Sequence, residues 1–216
     1  SEYGAIASKH GKLEFITNDY RYSDWLHLRT FNQMFMQILT RPSQVVKSMP
    51  FAPIKGKWGL LTGPNGEAIR YEAALMHTDE PLSANYDSAD WYVTDKIQWY
   101  ELWSDVKGTR VDTHSSDPDI QVDAYVDGNH TYLILNNLEW YDIPVDLSFM
   151  GVNGNTVKSV NMKHSYLAEG LSDVNLGRPI LAESMLDSLP ESVTLEPGST
   201  IILDIEYNQD VAITSL

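Results

Sequence analysis

The stretch IQVDAYVDGNHTYLILN, residues 120–136, decides the fold of the second half of the chain. Apolar and polar residues alternate from Ile120 to Val126, which is the period of a strand with one face in a core. Asp127-Gly128 has the turn chemistry that joins two antiparallel strands, and the alternation resumes at Tyr132. The stretch therefore predicts a β-hairpin.

Further short apolar runs follow the hairpin, and Glu196-Pro197-Gly198 is a strong turn signal between the last two of them. Many short strands separated by turns are typical of an antiparallel β-sandwich. We predict these further strands at residues 145–150, 157–166, 192–195 and 200–207.

The first half has a different pattern. Helical spacing of apolar residues predicts a helix over residues 24–39, with Ser23 or Asp24 as N-cap, and a second helix over 91–106. An apolar run at 45–54 between them predicts a buried strand that ends in a loop. With a further strand at Glu2, at the start of the chain, these elements follow the order strand, helix, strand, which is the signature of a parallel sheet. We therefore expect an α/β part followed by an all-β part.

Charge divides the chain in the same place. Residues 1–110 carry 12 Lys and Arg against 13 Asp and Glu, whereas residues 111–216 carry 3 against 17. We therefore place a domain boundary near residue 110, with domains 1–110 and 111–216. Because phosphate binding needs clustered cations, the acidity argues against nucleic acid or an anionic membrane as a partner.

Other classes are also excluded by composition. The chain has 0 Cys, so it holds no disulfide, thiolate metal site or cysteine nucleophile. Its 6 His show no metal-ligand spacing, and neither glycine-rich phosphate motif nor a Gly-x-Ser-x-Gly elbow occurs. No apolar run reaches the roughly 18 residues of a membrane span. We expect no metal and no cofactor.

Several motifs in order along the chain carry a resemblance to a known family. Ser1-Glu2-Tyr3-Gly4, Met49-Pro50-Phe51 and Tyr100-Glu101-Leu102-Trp103 look like the last part of a clan A glycoside hydrolase. The segment from Pro118 to Leu138 resembles the β-agarases and β-porphyranases, glycoside hydrolase family eighty-six. The resemblance covers most of residues 1–150.

The resemblance implies the last strands and helices of a (β/α)₈ TIM barrel, followed by an antiparallel β-sandwich. It implies a retaining endo-hydrolase of red-algal galactan, agarose or porphyran, that is secreted or periplasmic. Glu2 matches the nucleophile at the mouth of a barrel strand, where barrel enzymes keep their catalytic groups. The acid/base carboxylate has no counterpart, so the rest of the barrel is expected from a longer protein or a second chain.

Aromatic and polar residues near this mouth are the candidate substrate contacts. Tyr3 is a candidate to orient Glu2, Lys55 to meet hydroxyls or sulfates, and Trp58 to form a sugar platform or a core residue sealing the rim. The long loop over residues 55–90 adds further candidates, which are plausible as a set, although each alone is more often a packing or surface residue. They are Tyr71, His77, Tyr86 and Trp91.

Two alternatives remain open at this point. Asp117, Asp119, Asp123 and Asp127 lie close together and are a weak candidate for a calcium site, although the twelve-residue loop pattern is absent. The missing second carboxylate also leaves open a noncatalytic carbohydrate-binding or structural module. Products formed from galactan by the complete protein would distinguish an enzyme from such a module.

Overall fold

The computed structural model describes residues 2–3, 20–56, 61–62, 68–69, 71–78, 90–152, 154–172 and 175–213. These ranges contain two helices, α1 (Tyr20–Leu39) and α2 (Ile97–Trp103), and fourteen strands. The strands are β1 (Glu2–Tyr3), β2 (Met49–Pro50), β3 (Leu61–Thr62), β4 (Ala68–Ile69), β5 (Met76–His77), β6 (Tyr92–Val93), β7 (Thr109–Val111), β8 (Ile120–Asp127), β9 (His130–Asn137), β10 (Ile143–Asp146), β11 (Val157–Ser172), β12 (Asn175–Leu186), β13 (Ser192–Leu195) and β14 (Thr200–Tyr207).

The chain divides into two compact units. The first unit comprises Ser1–Tyr100 and Ala168–Pro179, and the second comprises Glu101–Leu167 and Ile180–Leu216. The division between the units therefore falls within α2. The last residues of β11 and the first residues of β12 belong to the first unit. The sequence-based domain boundary at residue 110 stays a prediction.

The predicted hairpin is confirmed and lies in a six-stranded sheet of order β12-β11-β14-β9-β8-β7. β8 and β9 pair antiparallel with Asp127 opposite His130, so Gly128 and Asn129 form the two-residue turn. Gly128 has a φ of 61°, a left-handed conformation that glycine adopts without steric cost. The predicted strand at 200–207 is β14, which pairs with both β9 and β11.

A second sheet, formed by β10 and β13, covers part of the large sheet and makes the predicted sandwich. Ile143 pairs with Leu195, and both side chains are buried in one cluster with residues of the six-stranded sheet. Burial of this apolar surface is the main favourable term that holds two sheets together. The cluster comprises Ile120, Ala124, Leu133, Leu135, Ile143, Val160, Leu195, Ile201, Leu203, Ile205 and Tyr207.

The first unit is built around α1, whose buried face includes Trp25, Leu28 and Phe31. The helix begins at Tyr20, four residues before the predicted start, so Asp24 is not the N-cap. Asp24 lies inside the helix, is 2% exposed and forms an ion pair with Lys96, which is 0% exposed. A buried charge needs such a partner, which explains why a polar residue occupies this position.

Three other sequence predictions for the first unit are corrected. Residues 91–96 are not helical, because the Thr94 N–H and hydroxyl both donate to the Leu75 carbonyl, at 2.8 and 2.9 Å, and hold the segment extended. The apolar run at 45–54 yields only the two-residue strand β2. This run is not buried in this chain, since Val46 and Ile54 are exposed.

Neither helix in the described ranges has the length and apolar character that crossing a membrane requires.

Candidate functional site

The parallel pair of β1 and β2 places Glu2 and Tyr3 beside α1. Glu2 is in register with Met49 and Tyr3 with Pro50, and the Phe51 N–H donates to the Tyr3 carbonyl at 2.6 Å. The two strands run in the same direction, so their carboxyl ends lie at the same edge of the pair. In α/β folds this carboxyl edge is where binding and catalytic residues gather.

Tyr3 is a core residue of the first unit. Its ring contacts Phe31 edge-on at 6.0 Å and stacks on Phe35 at 6.4 Å, and its side chain is 4% exposed. Burial, and to a smaller extent the nearby Tyr100, raises the pKa of its hydroxyl, which has no hydrogen-bond partner among the described residues. Tyr3 therefore packs β1 against α1, and its contact with substrate stays a prediction.

The backbone of Glu2 is paired with that of Met49. Its register partner, Met49, has a side chain that is 50% exposed. Residues paired across neighbouring strands share one face of a sheet. The catalytic role of Glu2 stays a prediction.

Three segments that follow the carboxyl end of β2 form one connected module. The Leu75 N–H donates to the Pro53 carbonyl at 3.0 Å, and the Met76 N–H donates to the Ile54 carbonyl at 2.8 Å. β5 then pairs antiparallel with β6, which joins residues 90–96 to the same module. These bonds position Lys55, Tyr71, His77 and Trp91, all of which the sequence singled out.

Lys55 and Trp91 come together in this module. The Lys55 ammonium lies 5.1 Å from the centre of the Trp91 ring, within the range of a cation–π contact. Gly56 follows with a φ of 49°, and a Cβ added there would lie 3.0 Å from the Tyr71 ring. Glycine thus permits the backbone to approach Tyr71 closely, which keeps Lys55, Tyr71 and Trp91 in one module.

Tyr71 and His77 differ in how accessible they are. Tyr71 is half-buried and makes an edge contact with Phe51 at 6.4 Å, so part of its ring reaches the surface. His77 is 3% exposed and packs edge-on against Tyr92 at 5.4 Å, which favours a structural role. The remaining candidates, Trp58 and Tyr86, lie outside the described residues.

Sequence reasoning missed the ion pair of Asp24 and Lys96. It connects α1 to the turn that leads into α2, and both side chains are buried. Lys96 is the only cation within the sequence 91–103, but no sequence pattern links it to a residue 72 positions away. The pair fixes the scaffold that carries β1, although nothing indicates that it touches a substrate.

The acidic residues of the weak calcium alternative are engaged separately. Asp123 binds Arg110 at 2.7 Å, and Asp127 binds Lys107 at 2.8 Å. Burial raises the pKa of Asp123, against the opposing effect of Arg110. In the described parts of the chain, no group of three or more His, Asp or Glu side chains is arranged to hold a metal ion.

The second unit contains a cleft of about 850 Å³ between the large sheet and residues 143–152. Much of its wall consists of the sandwich-facing side chains of β8 and β9, such as Val122, Leu133 and Leu135. None of the described candidate substrate contacts lines this cleft. They all belong to the first unit.

A family model and two known proteins match this chain. A family model described as porphyranase β-sandwich domain 1 matches residues 119–216. The β-agarase AgaO of Microbulbifer thermotolerans is 37% identical over 99% of this chain and 17% of its own length. The funoran endo-β-hydrolase of Wenyingzhuangia aestuarii is 36% identical over 99% of this chain and 27% of its own length.

A solved structure agrees with these matches. BpGH86A, a β-porphyranase of glycoside hydrolase family 86 from Bacteroides plebeius, superposes with a TM-score of 0.77 at 31% identity, over 99% of this chain and 34% of that one. Over nearly its whole length the chain is homologous to members of glycoside hydrolase family 86, the β-agarases and β-porphyranases, as the sequence motifs predicted. It spans between about a sixth and a third of the length of these relatives.

Proposed function

We propose that this chain is part of a retaining endo-glycoside hydrolase that cleaves β-galactosidic linkages in a red-algal galactan, agarose or porphyran. The observation that carries the proposal is the position of Glu2 in β1, where it is in parallel register with Met49 of β2. Relatives named β-agarase and β-porphyranase support the substrate class. A polymer of this kind is met outside the cytoplasm, so the proposal includes a secreted or periplasmic location.

The chemistry that we assign to Glu2 is nucleophilic attack on the anomeric carbon. The ionised carboxylate displaces the leaving oxygen and forms a glycosyl ester, which water then hydrolyses. A second carboxyl group, about 5 to 5.5 Å away, protonates the leaving oxygen and later deprotonates the water. In this proposal the second carboxyl group comes from polypeptide outside residues 1–216.

The rest of the barrel is the partner that we propose for the first unit. Met49, Ile54 and Val93 are apolar, yet their side chains are at least half exposed in this chain. Two parallel strands cannot close a barrel, and clustered exposed apolar surface marks an interaction site. Further barrel strands that cover these residues would bury them and would place the second carboxyl group opposite Glu2.

Substrate contacts are assigned to the loops at the same edge. Trp91 and Tyr71 offer aromatic surface for the apolar face of a sugar ring, and Lys55 offers an ammonium that donates to hydroxyl or sulfate oxygens. Trp58 and Tyr86 complete the proposed set, with Tyr3 and His77 at its base. The fixed backbone of residues 53–56 and 75–76 keeps the described members in place before substrate arrives.

The substitution Glu2→Gln in the full-length protein tests this function. Because a carboxamide cannot form the ester intermediate, reducing ends released from agarose and porphyran should fall on the order of 10⁴-fold or more. Thermal unfolding should be unchanged, and the exposed Glu191→Gln is the matched control that keeps wild-type turnover. Turnover near the wild-type rate in Glu2→Gln would refute the proposed nucleophile.

A further inference from the structure

Trp140 and Tyr141 are two consecutive large aromatic residues on the surface of the second unit. Their side chains are 57% and 58% exposed, and they lie in the loop between β9 and β10. Burying an aromatic side chain is strongly favourable, so two exposed side by side mark a surface that binds something. We propose that Trp140 and Tyr141 form a second carbohydrate-binding surface, which takes a neutral galactan chain.

Asn137 holds this loop in one conformation. Its side chain is 0% exposed, and its amide nitrogen donates to the carbonyls of Tyr141, Leu195 and Glu196 at 2.9, 3.0 and 3.0 Å. Its side-chain oxygen accepts from the Glu139 N–H at 2.8 Å. One buried carboxamide thus ties both sides of the aromatic pair to the turn between β13 and β14.

Backbone bonds add to this anchoring on either side of the pair. The Leu138 N–H donates to the Asp119 carbonyl at 2.9 Å, and the Gly198 N–H donates to the Glu139 carbonyl at 2.9 Å. Two residues after Tyr141 the chain enters β10 at Ile143, which is buried in the sandwich core. A loop fixed in this way loses little conformational entropy when a ligand stacks on it, so it is preorganised for binding.

The charges around the pair select the kind of ligand. Glu139 raises the pKa of the Tyr141 hydroxyl, with smaller contributions from burial, Asp119 and Asp117. Carboxylates accept hydrogen bonds from sugar hydroxyls but repel sulfate groups. Residues 111–216 carry only 3 Lys and Arg against 17 Asp and Glu, so the surrounding field disfavours an anionic polymer.

The inference deepens the proposed function and rests on it for the choice of galactan. A site at the barrel mouth cuts one linkage, whereas a polymer chain extends over many sugar units. A second contact on the same protein keeps an insoluble substrate near the site through effective concentration. The gain applies to an insoluble polymer and not to a short soluble oligosaccharide, which reaches the cleavage site by free diffusion.

The test compares the full-length protein with its Trp140→Ala/Tyr141→Ala double variant. Co-sedimentation with insoluble agarose particles in the cold should show binding weakened about tenfold, because the stacking surface is lost. Hydrolysis of a short neutral oligosaccharide and the thermal unfolding midpoint should stay at wild-type values. Met185→Ala removes another exposed apolar side chain, 77% exposed, and is the control for general surface stickiness.

Other outcomes overturn the inference in distinct ways. Unchanged sedimentation of the double variant would show that the pair does not bind agarose. A lower unfolding midpoint together with slower oligosaccharide hydrolysis would show that another part of the longer protein packs on the pair. Equal binding to a sulfated galactan would contradict the selection by charge. If the wild-type protein released no products, the proposed function would fail, while the sedimentation comparison would still test the aromatic pair.

Discussion

Lys163 brings a positive charge into the interior of the second unit, at the C-terminal end of α2. Its ammonium donates to the Glu101 carbonyl at 2.7 Å and the Ser104 hydroxyl at 3.1 Å, and it pairs with Asp105 at 2.6 Å. A cation at this end of a helix satisfies free carbonyls and opposes the negative end of the helix dipole. A single side chain thus joins β11 to α2.

Replacing Lys163 with Met should therefore destabilise the protein. We expect the free energy of unfolding to fall by about 2 kcal/mol, because the Glu101 carbonyl and the Ser104 hydroxyl lose a charged donor. Urea denaturation followed by circular dichroism measures the change. Lys158→Met is the control: Lys158 pairs with Glu206 at 2.7 Å but is 58% exposed, and exposed pairs contribute little. Equal effects of the two substitutions would contradict the assigned role.

His164 couples stability to pH. Burial lowers the pKa of its ring below the ordinary value of 6.5, and Glu196, at 2.8 Å, opposes this shift. The unfolded chain then binds a proton more readily than the folded one, so stability is present above pH 6.5 and is lost as pH falls through the folded pKa. His164→Gln should flatten the loss of stability that urea denaturation records between pH 7 and 5.

Glu196→Gln should change the same profile in the other direction. Without the carboxylate that favours the protonated ring, the pKa of His164 falls further and the acid loss of stability becomes steeper. The comparison needs only the two variants and the wild type over one pH range. A steeper profile in His164→Gln than in the wild type would contradict burial as the dominant cause.

At the scale of elements, Gly108 sets the connection between α2 and β7. Its φ is +99°, and a Cβ placed there would lie 2.2 Å from the Val126 carbonyl oxygen. Gly154 has a similar φ of +82°, yet no atom of the described structure lies within 4 Å of its added Cβ. Both glycines have a left-handed backbone, but only at Gly108 would a side chain also collide with a neighbouring strand. Comparing them therefore distinguishes backbone strain from steric collision.

Substitution by alanine at the two positions should therefore differ in cost. Gly154→Ala should lower the free energy of unfolding by about 1 kcal/mol through the left-handed backbone alone. Gly108→Ala should lower it by at least about 3 kcal/mol, because β7 must also move away from β8. Thermal and urea unfolding of both variants give the two values. Equal costs would show that β7 adapts to the extra carbon.

The elements that sequence patterns predicted well are those with local signals. The 120–136 hairpin and the strands at 192–195 and 200–207 were predicted from alternation and from turns whose chemistry lies within a few residues. β12 was missed because it contains Gly177 and Pro179 in place of an alternating pattern. A Cβ added at Gly177 would collide with the carbonyl of Ala168 in β11, so only glycine fits this position of β12. This contact between two strands is not visible as a local sequence pattern.

The predicted limits of the two helices are also wrong because of contacts between residues far apart in the sequence. The spacing of apolar residues in 91–96 is that of a helix, but the Thr94 N–H donates a hydrogen bond to the Leu75 carbonyl. Tyr92 and Val93 therefore form β6 instead. The start of α1 was placed at the polar residues Ser23 and Asp24, whereas Asp24 is paired with Lys96 inside the helix. In both cases a tertiary partner overrides a local preference, which one sequence alone cannot reveal.

For the whole molecule, the family motifs were more informative about the class of protein and its candidate site residues than the physical patterns were. Composition and charge excluded several classes of protein, but only the ordered motifs pointed to family 86, which the relatives confirm. The structure adds the parallel register of β1 with β2 and the contact of Lys55 with Trp91. The second carboxyl group of the proposed mechanism stays a prediction.

The central claim is that Glu2 is the attacking carboxylate of a retaining enzyme, and trapping its covalent intermediate tests this most directly. A β-galactoside with fluorine at C2 and a good leaving group slows hydrolysis of the glycosyl ester, so the labelled enzyme accumulates. Digestion of the full-length protein and mass spectrometry then locate the label. We predict that one sugar is attached to Glu2. A label on another carboxylate would contradict this assignment, and so would products of inverted configuration without any labelled enzyme.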